Sequence, residues 1–167
     1  MKLIVLYGPE DSGKTTTLEI VYERLKRISI PRATNMFWYL DGIQRDFIDV
    51  LNIDKKRLGE DGCNPSERNP NEPPELVKIG IVTQGDYVKG SNAIDEHLTF
   101  LLGANCDIAI CPCSKILHKS KTPAIAIEEF IKANATIVIR VKTFKIKPYS
   151  NELQIANEIL RELKKHC

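Results

Sequence analysis

Apolar residues return along this chain in two rhythms, and the rhythms alternate. Leu3-Ile4-Val5-Leu6-Tyr7 is an apolar run of strand length, and beyond it Leu18, Val21, Leu25 and Ile28 recur at the spacing of one helix face. Further strand-like runs, rich in Ile, Val and aromatics, are Met36–Leu40, Phe47–Ile53, Leu76–Thr83, Asp107–Cys111 and Thr136–Val141. Helical patterns alternate with the later runs. Ser91-Asn92 is placed to cap a helix carrying Ile94, Leu98, Leu101 and Leu102 on one face, with Gly103 just past its end. Thr122-Pro123 supplies a cap and a helix-opening proline ahead of Ile127, Phe130 and Ile131. Ser150 precedes a last helix with Leu153, Ala156, Ile159, Leu160 and Leu163 along its buried stripe. Strand–helix alternation predicts right-handed crossovers and a mostly parallel sheet with helices on both faces.

One segment departs from this rhythm. Gly59–Pro74 is crowded with Pro, Asn, Glu and Gly and shows no helical period, so the strands on either side of it read as a long hairpin. An antiparallel pair is therefore expected at one edge of the sheet. The loop is either a substrate flap or a surface insertion, and its lack of an aromatic or basic anchor cluster favours the insertion.

A length of 167 residues suits one α/β domain over 1–167. The net charge of +2 is spread among interleaved acidic and basic residues, so no footprint for nucleic acid stands out. No apolar stretch approaches the length of a bilayer span, and the first apolar run is consumed by a strand. Five cysteines make an odd count with no disulfide framework; a soluble, cytoplasmic protein is expected.

The chemistry is concentrated where the first strand turns into the first helix. Gly8-Pro9-Glu10-Asp11-Ser12-Gly13-Lys14-Thr15 fits G-x-x-x-x-G-K-[ST] at every fixed position. Such a turn is an anion cradle, because glycines let successive N–H groups converge on an oxyanion and the helix adds its positive end. Gly8, Asp11, Ser12, Gly13, Lys14, Thr15 and Thr16 would hold the phosphates. The Lys14 ammonium, standing exposed until phosphate arrives, would reach the β/γ-phosphates; Thr15 would offer its hydroxyl to Mg²⁺, and Thr16 would donate to a nearer phosphate. In these residues the chain resembles the P-loop NTPases. The resemblance implies a three-layer α/β sandwich and a bound nucleoside triphosphate with Mg²⁺.

A carboxylate at the end of a neighbouring strand would complete the metal's water shell. Asp86, leaving Leu76–Thr83 through Thr83-Gln84-Gly85-Asp86, is the leading candidate, with catalytic and metal roles; the alternative is a turn or cap residue. Asp41 competes for the role: Asp41-Gly42-Ile43-Gln44-Arg45 resembles the Asp-Gly-x-Pro-Arg stretch of adenylate kinases, with Gln44 in place of the proline. Asp107 precedes its strand and belongs at the opposite end of the sheet. Lys115, Lys119 and Lys121 follow another strand end and would either close over the triphosphate as a lid or remain a solvated basic loop. Cys106, Cys111, Cys113 and His118 lack paired Cys-x-x-Cys knuckles and read as buried thiols rather than a metal site. Lys142, Lys145 and Lys147 read as a solvated edge. No Asn-Lys-x-Asp follows the fifth strand, which points to adenine rather than guanine.

Three activities are consistent with these residues: Mg²⁺-dependent hydrolysis of a nucleoside triphosphate such as ATP, transfer of its γ-phosphoryl group to a small-molecule or nucleotide acceptor, and nucleotide binding without turnover. Hydrolysis leads.

Overall fold

The computed structural model describes residues 1–31, 38–39, 46–59, 73–84, 93–114, 122–143 and 151–167, with residues 38–39 described at the backbone alone. In chain order the elements are β1 (Lys2–Gly8), α1 (Lys14–Ile28), β2 (Trp38–Tyr39), β3 (Phe47–Asp54), a 3-10 turn (Lys55–Gly59), β4 (Leu76–Val82), α2 (Ile94–Gly103), β5 (Ile108–Ser114), α3 (Pro123–Asn134), β6 (Ile137–Lys142) and α4 (Asn151–His166).

These strands form one sheet in the order β2-β3-β4-β5-β1-β6. β1 runs parallel to both neighbours, β5 and β6, and β4 runs parallel to β5. β3 pairs antiparallel with β4, Asp54 opposite Leu76 and Ile48 opposite Val82, and β2 pairs antiparallel with β3. The sheet is thus mixed and mostly parallel; the expected β3–β4 hairpin is present, one strand in from the edge, with β2 outside it. Residues 60–72 of the expected loop lie outside the described residues.

Both faces of the sheet are buried, which is why β1 reads as a continuous apolar run rather than an alternation. Ile4 and Leu6 point to one side, where they pack with Leu18, Val21 and Leu25 of α1 and Ile155, Ile159 and Leu163 of α4. Leu3 and Val5 point to the other, against Leu98 and Leu101 of α2 and Ile127 and Phe130 of α3. Each such side chain, taken fully from water, contributes about 1.5–3 kcal/mol. The two clusters set the layers, with α1 and α4 on one face and α2 and α3 on the other.

A local signal sets the start of α3. Thr122 Oγ1 accepts a hydrogen bond from Ile125 N (3.3 Å) with Pro123 opening α3, as its sequence predicts. The N-cap of α2 is Ala93, without a side-chain cap, and Gly103 is its last residue; Ser91, Asn92 and Ser150 lie outside the described residues. β5 continues past Cys111 through Pro112 to Ser114. β4 pairs with β5 only as far as Ile110, so Pro112 sits where the strand has lost one neighbour and a missing N–H is tolerated.

Candidate functional site

β1 is followed in the chain by α1 on one face of the sheet, and β5 by α3 on the other. β1 and β5 are neighbours, with Gly8 in register with Ser114. Adjacent strands whose following helices lie on opposite faces mark a topological switch point, the place where open α/β sheets hold ligands. The Gly-rich stretch lies at this point, since Gly8 ends β1 and Lys14 begins α1.

The turn between them is bent by two left-handed residues, Asp11 (φ 53°) and Gly13 (φ 77°). Turns of this hand bring successive N–H groups round to one side as an anion-binding concavity. Gly13 is also the N-cap of α1 and supplies no side-chain acceptor, and no acidic residue stands in the helix's first turn. The first helical hydrogen bond runs from Thr17 N to Gly13 O (2.9 Å), so the N–H groups ahead of it have no intrahelical acceptor. Thr15 is partly buried and Thr16 exposed on this turn.

Lys14 does not stand exposed as expected from sequence. It is 8% exposed, and its Nζ donates to the carbonyls of Pro9 (2.6 Å) and Gly8 (3.2 Å), folded back over the loop. An ammonium withdrawn from water needs acceptors, and the loop's own carbonyls are within reach.

Two residues that sequence reasoning missed complete the loop's surroundings. Thr143, just past β6, bonds its N to Tyr7 O (2.7 Å) and places its Oγ1 2.7 Å from Ser12 Oγ. Glu152, in the first turn of α4, lies against Gly13: a Cβ built on Gly13 would be 2.6 Å from Glu152 Oε1. They are separated from the loop by more than a hundred positions, and the only hint in the sequence is a polar residue at the end of a strand that lies beside β1.

The carboxylate candidates stand differently. Asp86 and Asp41 lie outside the described residues, as do Lys115, Lys119, Lys121, His118, Lys145 and Lys147. β4, which leads toward Asp86, is not a neighbour of β1, because β5 intervenes; its line is about 9–10 Å from that of β1. Beyond Ile81 it has also parted from β5. There Gln84, buried at 5% exposure, has an Oε1 without a hydrogen-bond partner, as has Thr17 Oγ1 in α1. A buried oxygen left unpaired costs about 1–3 kcal/mol, so an orphaned acceptor at the sheet's carboxyl edge fits a site that a ligand or water completes.

Asp107 is at the opposite edge, its carboxylate accepting from Lys78 N (2.8 Å). Cys106, Cys111 and Cys113 are buried, Cys111 and Cys113 side by side in the α2/α3 core, and burial pushes the Cys111 thiol well above its ordinary value. Among the described residues no group of three or more His, Cys, Asp or Glu is placed to hold a metal ion, and no helix is long and apolar enough to cross a membrane.

Comparison with protein-family models, with curated proteins and with solved structures finds no match to this chain.

Proposed function

We propose that the chain binds a nucleoside triphosphate, ATP by preference, as its Mg²⁺ complex on Gly8–Thr16 and hydrolyses it, in the manner of the P-loop NTPases its sequence resembles. The observation that supports this most is positional: a left-handed, uncapped strand-to-helix turn stands at the sheet's switch point, carrying a buried lysine that already bonds within the turn.

The residues fit the group. N–H groups from Asp11 to Thr16 receive phosphate oxygens, and Gly13, with no side chain, lets them approach. Lys14 would exchange the Gly8 and Pro9 carbonyls for β/γ-phosphate oxygens, and the Thr15 hydroxyl would hold the metal. Mg²⁺, when bound, supplies neutralisation of charge on the phosphates. Asp86 follows a strand one removed from β1 and would reach the metal only through its water shell. The described cysteines are free thiols, which suits a cytoplasmic setting.

The test is ATP binding with and without Mg²⁺, followed by ADP release with and without nucleoside monophosphates and small metabolites. Mg²⁺-dependent binding with acceptor-independent ADP release is expected. ADP that appears only with an acceptor reassigns the site to phosphotransfer, binding without turnover reduces it to a binding module, and no binding overturns the proposal.

A further inference from the structure

The positive end of α1 has an unusual neighbour. No acid stands in the first turn of this helix, and its N-cap is a glycine. The half-buried carboxylate next to it comes instead from α4, where Glu152 rests on Gly13 with Oε1 2.6 Å and Cγ 2.9 Å from the position a Cβ would take. Glu152 has no hydrogen-bond or ion-pair partner among the described residues, and it accepts no bond from the loop's N–H groups. It is therefore a carboxyl group packed on Gly13 at the rim of the cradle, and it leaves the cradle's donors available. Glu10 and Asp11 also belong to the loop, but both are exposed, where water screens them.

We infer that Glu152 sets the charge preference of the cradle, disfavouring phosphate ligands that arrive without a cation and sparing those carrying Mg²⁺. The inference rests on the phosphate-loop reading above. A carboxylate held against the backbone that receives the phosphates balances the helix's positive end while the cradle is empty. Each further negative charge placed in the cradle then meets its repulsion. A divalent ion on the phosphates of ATP removes two of its about four negative charges and with them about half of the penalty.

The test titrates pyrophosphate without Mg²⁺, and ATP with and without Mg²⁺, into the wild type, Glu152→Gln and Glu152→Asp by calorimetry, at low and high salt. Glu152→Gln keeps the shape and removes the charge. It is expected to bind Mg²⁺-free pyrophosphate and ATP about 3–10-fold more tightly than the wild type at low ionic strength, with the gain vanishing near 0.5 M salt. Its affinity for Mg²⁺-ATP, which has half the charge, should rise by only about the square root of that gain, roughly 2–3-fold, and Glu152→Asp, which keeps the charge, should stay near the wild type. Equal gains for metal-free and Mg²⁺-bound ligands, a salt-independent gain, or no gain overturns the inference while leaving the site. A wild type that binds none of the ligands overturns the phosphate-loop reading instead, and the inference with it.

Discussion

The hydroxyl of Thr143 fills the space that a side chain on Gly8 would need: a Cβ there would lie 1.7 Å from Thr143 Oγ1 and 2.5 Å from Ser12 Oγ. The backbone at Gly8 is not in the left-handed region, so the requirement for glycine is room and not torsion. β6 thus holds the first residue of the loop through a hydroxyl contributed from the far end of the chain.

Gly8→Ala should cost about 1–3 kcal/mol as overpacking. Thr143→Ala removes the obstructing oxygen and frees Ser12 Oγ to turn aside, so the double variant should be more stable than the sum of the single losses by at least about 1 kcal/mol. Urea unfolding of the four proteins measures this coupling. Additive losses would mean that Thr143 is not what excludes a side chain at Gly8.

At Gly13 both constraints act together. Its φ of 77° disfavours any L-residue, and Glu152 occupies the side-chain position. Gly13→Ala should lose about 1–2 kcal/mol from the torsion alone, and Glu152→Ala should relieve only what exceeds it. Thermal unfolding of Gly13→Ala in the wild-type and Glu152→Ala backgrounds separates the two; complete relief would show that the torsion is unstrained.

Lys14→Met keeps the buried stem and removes the ammonium. Charged hydrogen bonds contribute about 1.5–3 kcal/mol, so triphosphate binding should weaken about 10–100-fold. Because Gly8 and Pro9 also lose a donor, Tm should fall by about 2–6 °C, corresponding to roughly 1–2 kcal/mol. Unchanged affinity would remove Lys14 from the site.

Much of this architecture is legible in the chain itself. The apolar period of β1 and α1, the Thr122-Pro123 start of α3 and the β3–β4 hairpin are local patterns, and local patterns decide them. The strand order is not local. That β5 separates β4 from β1 depends on how α2 and α3 pack across one face, which no window of sequence contains. The same holds at the site: the Gly8–Thr15 motif is readable because its spacing is its mechanism, whereas Thr143 and Glu152 reach it only after β6 and α4 have docked. The exposure that the sequence suggests for Lys14 is lost because the turn's own curvature presents the Gly8 and Pro9 carbonyls to its ammonium.

Tyr7, immediately before the loop, donates its hydroxyl to Glu128 (3.1 Å), and burial pushes its pKa from 10.0 to about 12. The folded state therefore keeps a proton that the unfolded chain releases above about pH 10. Stability from this group is fully present below pH 10 and is lost as pH rises toward 12. Across that window, the Tm of the wild type should fall more steeply than that of Tyr7→Phe. Parallel curves would show that Tyr7 titrates as an ordinary phenol.

A backbone amide chemical-shift titration of the wild type with Mg²⁺-ATP reads nucleotide binding at the loop residue by residue. Saturable shifts are expected, largest at Asp11, Ser12, Gly13, Lys14, Thr15 and Thr16, with Thr143 moving in step through its contact with Ser12. Saturating ATP that leaves those amides unmoved, or shifts confined to the opposite edge of the sheet around Lys2 and Asp107, would contradict nucleotide binding at the loop.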